Sequence, residues 1–191
     1  MTFTILFVCT ANQCRSPMAH RLAVSWLGKR FGSDQADFVV GSAGTQARDG
    51  IAMTPLAGNV LTELGVDVAG PDSRALTETV ISTAGLVLTM ERRHRSGVVT
   101  LAPAALKRAF TLTEFARTAQ AAVAGLDLPA DPGDRAKAVV AATARKRGTV
   151  RPAHPDEDDI PDPIGNPIED YRRAIGQIST AIDTSLTALV G

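Results

Sequence analysis

Near its start the chain carries a nearly unbroken apolar run, Phe3-Thr4-Ile5-Leu6-Phe7-Val8, that leads directly into Cys9-Thr10-Ala11-Asn12-Gln13-Cys14-Arg15-Ser16-Pro17. A strand with so little polar alternation has to be covered on both faces, as in a parallel sheet. Parallel neighbours can be joined only by long crossovers, so this segment alone commits the chain to an α/β architecture. The residues after it read as the first crossover helix. Ser16 is a good N-cap, Pro17 suits the first helical position, and Ala19, Leu22, Ala23, Trp26 and Leu27 recur at helical spacing until Gly32 stops them.

The same alternation continues downstream. Phe38 to Val40, Leu86 to Thr89 and Ala109 to Leu112 read as strands, with helical stretches around Pro55 to Leu64, Leu76 to Thr83 and Glu91 to Val98 between them. A last helix starts near Asn166-Pro167 and carries Ile168, Tyr171, Ile175, Ile178, Ile182, Leu186 and Leu189 on one stripe. The expected fold is a single α/β domain over residues 1–191, a three-layer sandwich around a central parallel sheet of about four strands. Residues at about 116–158, rich in Ala, Pro and charge, read as a helical insertion with one helix from Asp134 to Lys146 behind Asp131-Pro132. A chain of 191 residues with 45% hydrophobic composition can build such a core.

Lys plus Arg equals Asp plus Glu at 20 each, so no global field draws the protein to nucleic acid or an anionic membrane. The first residues lack a basic leader, and no apolar stretch is long enough to enter a bilayer as a span; a cytoplasmic location is expected. Anion recognition must then be local, and the loop after Val8 supplies it. Residues Thr10, Ala11, Asn12, Gln13, Cys14 and Arg15 can turn their backbone N–H groups onto a tetrahedral anion, with the helix adding its positive end. Arg15 can bind two oxygens of that anion bidentately, as Lys could not. The same donors favour the thiolate of Cys9 and make it a nucleophile. Ser16 can donate to that thiolate, and Asn12 is one of the few residue types that tolerate left-handed backbone.

The loop Val8-Cys9-x-x-Asn12-x-Cys14-Arg15-Ser16-Pro17 resembles that of the low-molecular-weight protein tyrosine phosphatase family. Gly41-Ser42-Ala43-Gly44-Thr45 is similar to the family's second-strand segment, Arg74 to its arginine after the second helix, and Leu88-Thr89-Met90-Glu91 to its Leu-Thr-Met-Glu. The resemblance implies a phosphomonoesterase, foremost a protein-tyrosine phosphatase, that works through a cysteinyl-phosphate on Cys9. It implies no metal and no cofactor, a phosphorylated protein as partner, with a tyrosine kinase one candidate, and a monomer or weak dimer. It also implies that Ser42 supports the loop by bonding Asn12.

Leaving-group protonation calls for a carboxylic acid. Asp162 lies in Ile160-Pro161-Asp162-Pro163, where the resembled family places its Asp-Pro acid, and its flanking prolines fix the carboxylate's direction; Asp159, at the end of an acidic run, is the competitor. The family lines its cleft with aromatic rings, whereas here Gln46, Ala47, Arg48 and Ile164 stand at those places, and Pro71 replaces a common histidine. Tyr171 and Trp26 fall on helical stripes and read as core. Substrate choice therefore stays open to small phosphate esters, or to arsenate reduction on the same scaffold. Cys14 reads either as packing or, the reading preferred here, as a resolving thiol for oxidised Cys9. His20, His94 and His154 show no metal-ligand spacing and read as surface or helix filler.

Overall fold

The computed structural model describes residues 2–32, 37–70 and 72–191; Met1 and Pro71 lie outside them. Four parallel strands, β1 (Phe3–Cys9), β2 (Phe38–Gly44), β3 (Leu86–Thr89) and β4 (Ala109–Thr111), form one sheet in the order β2-β1-β3-β4. Seven α-helices accompany them among the described residues: α1 (Arg15–Phe31), α2 (Pro55–Glu63), α3 (Glu78–Ser82), α4 (Arg92–Leu101), α5 (Leu112–Val123), α6 (Pro132–Lys146) and α7 (Ile168–Val190).

Two apolar layers enclose the sheet. Ile5, Phe7, Leu86 and Leu88 pack with residues of α1, α2, α5, α6 and α7, whereas Leu6, Val8 and Val87 face Ile81 of α3 and Val98 of α4. Successive residues of β1 thus feed opposite layers, which is why that strand reads as one apolar run. The result is the three-layer sandwich expected, with a four-stranded parallel sheet.

Several element boundaries differ from the sequence reading, each for a local reason. Strand β2 runs on through Gly44 because its whole length pairs with β1, from Phe3 opposite Phe38 to Cys9 opposite Gly44. Strand β4 stops at Thr111, whose hydroxyl accepts from Glu114 N while the Glu114 carboxylate accepts from Thr111 N; this capping box turns Leu112 into the start of α5. Helix α3 begins only after Thr77, which accepts from Val80 N. Residues 116–158 hold most of α5 and all of α6, and Ala119, Ala136 and Val139 from them are fully buried. Tyr171 is core, but Trp26 is only half-buried and donates its Nε1–H to Asp183 at 2.9 Å.

Candidate active site

The loop between β1 and α1 sits at the carboxyl ends of β1 and β2, where open α/β sheets hold their ligands. Its backbone is tied down along its length. Thr45 N donates to Cys9 O and Gln46 N to Thr10 O, both at 2.9 Å, and Thr54 N donates to Gln13 O at 2.8 Å. Asn12 takes φ 56°, the left-handed turn that lets the loop fold back, and its Oδ1 accepts from Arg74 N at 2.9 Å. Gly44 is required beside it: a Cβ there would meet Thr10 O at 2.5 Å and Asn12 N at 2.9 Å. Asn12, Cys14 and Arg15 are buried, while Thr10, Ala11 and Gln13 are half-buried.

Cys9 ends β1 with its Sγ 3.0 Å from Ser16 Oγ. Ser16 Oγ already accepts from Asn12 Nδ2 at 2.9 Å, so its own proton can go to the sulfur, the nearer of its two acceptors, the other being Ala43 O at 3.5 Å. This relay, from Asn12 through Ser16 to Cys9, corrects the reading of Ser16 as an N-cap. Helix α1 starts two residues earlier, at Arg15, with Cys14 in the cap position and no side-chain cap, and Ser16 serves the loop instead. Ser42 is corrected too. The left-handed turn at Asn12 and the early start of α1 direct the Asn12 side chain to Ser16 and Arg74, and Ser42 contributes its carbonyl, which accepts from Arg74 Nε at 2.7 Å.

Arg15, 1% exposed, closes the loop and gathers distant groups. Its Nη2 donates to Asp162 Oδ2 at 2.6 Å and its Nη1 to Ile160 O at 2.8 Å and to Glu91 Oε1. Asp162 therefore reaches the loop, whereas Asp159 is engaged by Arg92, accepting from its backbone N at 2.7 Å and its guanidinium at 3.0 Å. The acid segment hangs on the sheet through Ile160 N, which donates to Met90 O at 2.8 Å. Glu91 also accepts from Arg93 Nε at 2.5 Å. Burial pushes the Glu91 carboxyl up, but the hydrogen bonds from Arg93 and Arg15 outweigh it and hold the group below the usual carboxylate range.

Two side chains enter the site without a role in the sequence reading. Glu91 stands in a segment noted only for its resemblance, and no spacing rule links it to Arg15, 76 residues away. His94, taken as helix filler, is buried and lies 2.8 Å from Thr10 Oγ1 through its Nε2. The signal that could have found it is its place three residues after Glu91, in the first turn of α4. At the positions where the resembled family carries aromatic rings, Gln46, Arg48 and Ile164 are exposed, and none of them is aromatic.

The sequence profile of the low molecular weight phosphotyrosine protein phosphatases matches residues 4–147, which hold the cysteine-bearing strand end and the loop closed by Arg15. The chain belongs to this family. A protein-arginine-phosphatase of Geobacillus stearothermophilus is 32% identical over 96% of this chain and 93% of its own. A probable low molecular weight protein-tyrosine-phosphatase, EpsP, of Ralstonia nicotianae is 33% identical over 60% of this chain and 74% of its own. Among solved structures, the low molecular weight protein tyrosine phosphatase from T. tengcongensis superposes with a TM-score of 0.70 at 28% identity, covering 97% of this chain and 99% of that one. This phosphatase therefore shares both the fold and the hydrolase class expected from its loop.

Proposed function

We propose that this phosphatase removes phosphate from protein side chains through a cysteinyl-phosphate on Cys9, with Asp162 as the acid. The Cys9 thiolate, supported by Ser16, attacks phosphorus; the S–P bond forms as the bond to the leaving oxygen breaks, and Asp162 gives that oxygen its proton. Water then attacks the phosphorus, Asp162 takes the water's proton, and the S–P bond breaks to release phosphate and the thiolate. Thr10 to Arg15 hold the phosphoryl oxygens through backbone N–H groups and the Arg15 fork. The observation that carries this reading is one buried guanidinium that joins the nucleophile's loop to Asp162, 147 residues away.

Phosphotyrosine is the first substrate class, and a tyrosine kinase is one protein that would present it. The non-aromatic Gln46, Arg48 and Ile164, together with the nearly full-length likeness to an arginine phosphatase, favour phosphoarginine as the second. Two free thiols suit a reducing, cytoplasmic setting. One panel tests the reading: peptides carrying phosphotyrosine, phosphoarginine or phosphoserine, a small aryl phosphate, and arsenate with and without added thiol. Turnover of phosphotyrosine or phosphoarginine peptide well above phosphoserine, lost in Cys9→Ser while orthovanadate still binds, is the expected result. Turnover that survives Cys9→Ser, or thiol-dependent arsenate reduction alone, refutes it.

A further inference from the structure

We propose that His94 is a positioning residue for the phosphate loop, holding the Thr10 hydroxyl so that its proton is donated to the phosphoryl group in the loop. The inference rests on the phosphatase reading above and deepens it.

The geometry starts at α4. Glu91, just before that helix, contacts Arg15, and His94, three residues on, lies 2.8 Å from Thr10 Oγ1. One helical turn thereby grips the first and the last residue of the anion loop. His94 is 2% exposed, and its Nδ1 is buried without a hydrogen-bond partner. That orphan decides the tautomer. A buried N–H with no acceptor is costlier and rarer than a buried lone pair with no donor, so the ring proton is assigned to Nε2. Nε2–H then donates to Thr10 Oγ1, which acts as acceptor.

The consequence falls on Thr10. Its hydroxyl has accepted from His94, and its proton has no protein acceptor among the described residues. That proton is available to the anion cradle, beside the loop's backbone N–H groups. An imidazolium would also donate from Nε2 but would bury a second N–H at Nδ1 without an acceptor, so the site favours the neutral ring. Glu91, Arg15, Arg93 and Asp162 are the charged groups around it; burial first, then Arg15 and Arg93, lower its pKa to about 4 against the opposite pull of Glu91 and Asp162. Across the neutral range His94 is therefore a fixed donor.

The test compares Thr10→Val, Thr10→Ser, His94→Ala and the double variant Thr10→Val/His94→Ala, by kcat/KM on p-nitrophenyl phosphate and by calorimetric binding of orthovanadate. Losing one hydrogen bond to a charged group should lower kcat/KM and vanadate affinity by roughly 10- to 100-fold in Thr10→Val and His94→Ala. Because the two residues act as one unit, the double variant should be no worse than the poorer single variant, and Thr10→Ser, which keeps the hydroxyl, should lose clearly less than Thr10→Val. Parent-like values in Thr10→Val, or losses that multiply in the double variant, overturn the proposal. Should His94→Ala fail to fold, Thr10→Val against Thr10→Ser decides alone. A parent that binds vanadate but hydrolyses no phosphate ester refutes only the phosphatase reading; one that does not bind vanadate refutes both.

Discussion

The two loops that meet at Arg15 are held in opposite ways. The phosphate loop, from Cys9 to Arg15, is bonded at Cys9 O, Thr10 O, Gln13 O and both ends of the Asn12 amide, and Gly44 packs against it without room for a methyl group. The acid loop, from Ile160 to Gly165, is anchored at its root by Ile160 N on Met90 O, turns through Asn166 N on Pro163 O, and meets the site through the Ile160 carbonyl and the Asp162 carboxylate, both on Arg15. Pro161, Ile164 and Gly165 are exposed. The proposed nucleophile and anion donors are thus fixed before substrate arrives, as electrostatic stabilisation requires. The proposed acid sits on a partly exposed segment, of the kind that can move as leaving groups come and go.

The largest effect expected from this difference is chemical. Asp162→Asn should lower kcat by about 10²–10⁴ on alkyl or unactivated aryl phosphates and much less on esters with good leaving groups. The thermal midpoint should fall only modestly, because asparagine keeps an oxygen that can accept from Arg15 Nη2 and Glu91 still pairs with the buried guanidinium. Leaving-group dependence is the measurement that checks it, and the same pattern in Asp159→Asn but not in Asp162→Asn would move the acid to the residue now bonded to Arg92.

Gly44→Ala probes the other loop. The added methyl meets backbone atoms, not the far end of a flexible side chain, so β2 or the loop has to shift. We expect destabilisation of about 1–3 kcal/mol, read by urea melts, with orthovanadate affinity falling alongside. Gly58→Ala, on α2 where a Cβ has nothing within 4 Å, is the matched control and should be neutral or stabilising. Equal melts for the two variants would mean that the phosphate loop is softer than its bonding suggests.

This contrast also explains what could be read in the sequence. The phosphate loop is contiguous, so nucleophile, left-handed Asn12, arginine and following helix appear in one string whose parts constrain one another. Strand β1 announces the sheet because it is buried on both faces. Asp162 was legible through its flanking prolines and its place before the last helix. Glu91 and His94 were not, since their partners lie 76 and 84 residues away and only the sheet order, which sets β3 beside β1, brings them together. The role of Ser16 was half legible: its hydroxyl suits both a helix cap and a thiolate donor, and only the start of α1 at Arg15 separates the two.

Two buried histidines give a pH-dependent effect. Burial first, then Arg21 and Arg74, lower His20 to about 4, and His94 is likewise lowered to about 4, against 6.5 for each when free. Between those limits the unfolded chain binds more protons than the folded one. The stability that goes with the neutral imidazoles is therefore complete above about pH 6.5 and is lost as pH falls toward 4. At pH 5, above the range where Glu91 takes up its proton, the loss should be about 2 kcal/mol per histidine relative to pH 7.5. Urea melts at the two pH values measure it. His20→Gln should remove about half of the difference, and an unchanged difference would assign it to other groups.

The smallest effect in resting protein concerns Cys14, which shares the tightly held loop with Cys9. Both thiols are buried, and burial, followed by Asp162 and Cys9, pushes the Cys14 thiol far above its ordinary range. At neutral pH it is a protonated and slow nucleophile. Under peroxide, the Cys9 thiolate should form a sulfenic acid with release of hydroxide. Cys14 should then displace that oxygen as water to give a Cys9–Cys14 disulfide. A rigid loop and a protonated thiol both slow the second step, so closure should quicken as pH rises and dithiothreitol should restore activity. In Cys14→Ser the sulfenic acid has no internal thiol to meet, so it should advance to sulfinic acid and activity should not return on reduction. Mass spectrometry of the loop peptide distinguishes the two fates. Full recovery of peroxide-treated Cys14→Ser by thiol, with no linked peptide in the parent, would make Cys14 a packing residue at the head of α1.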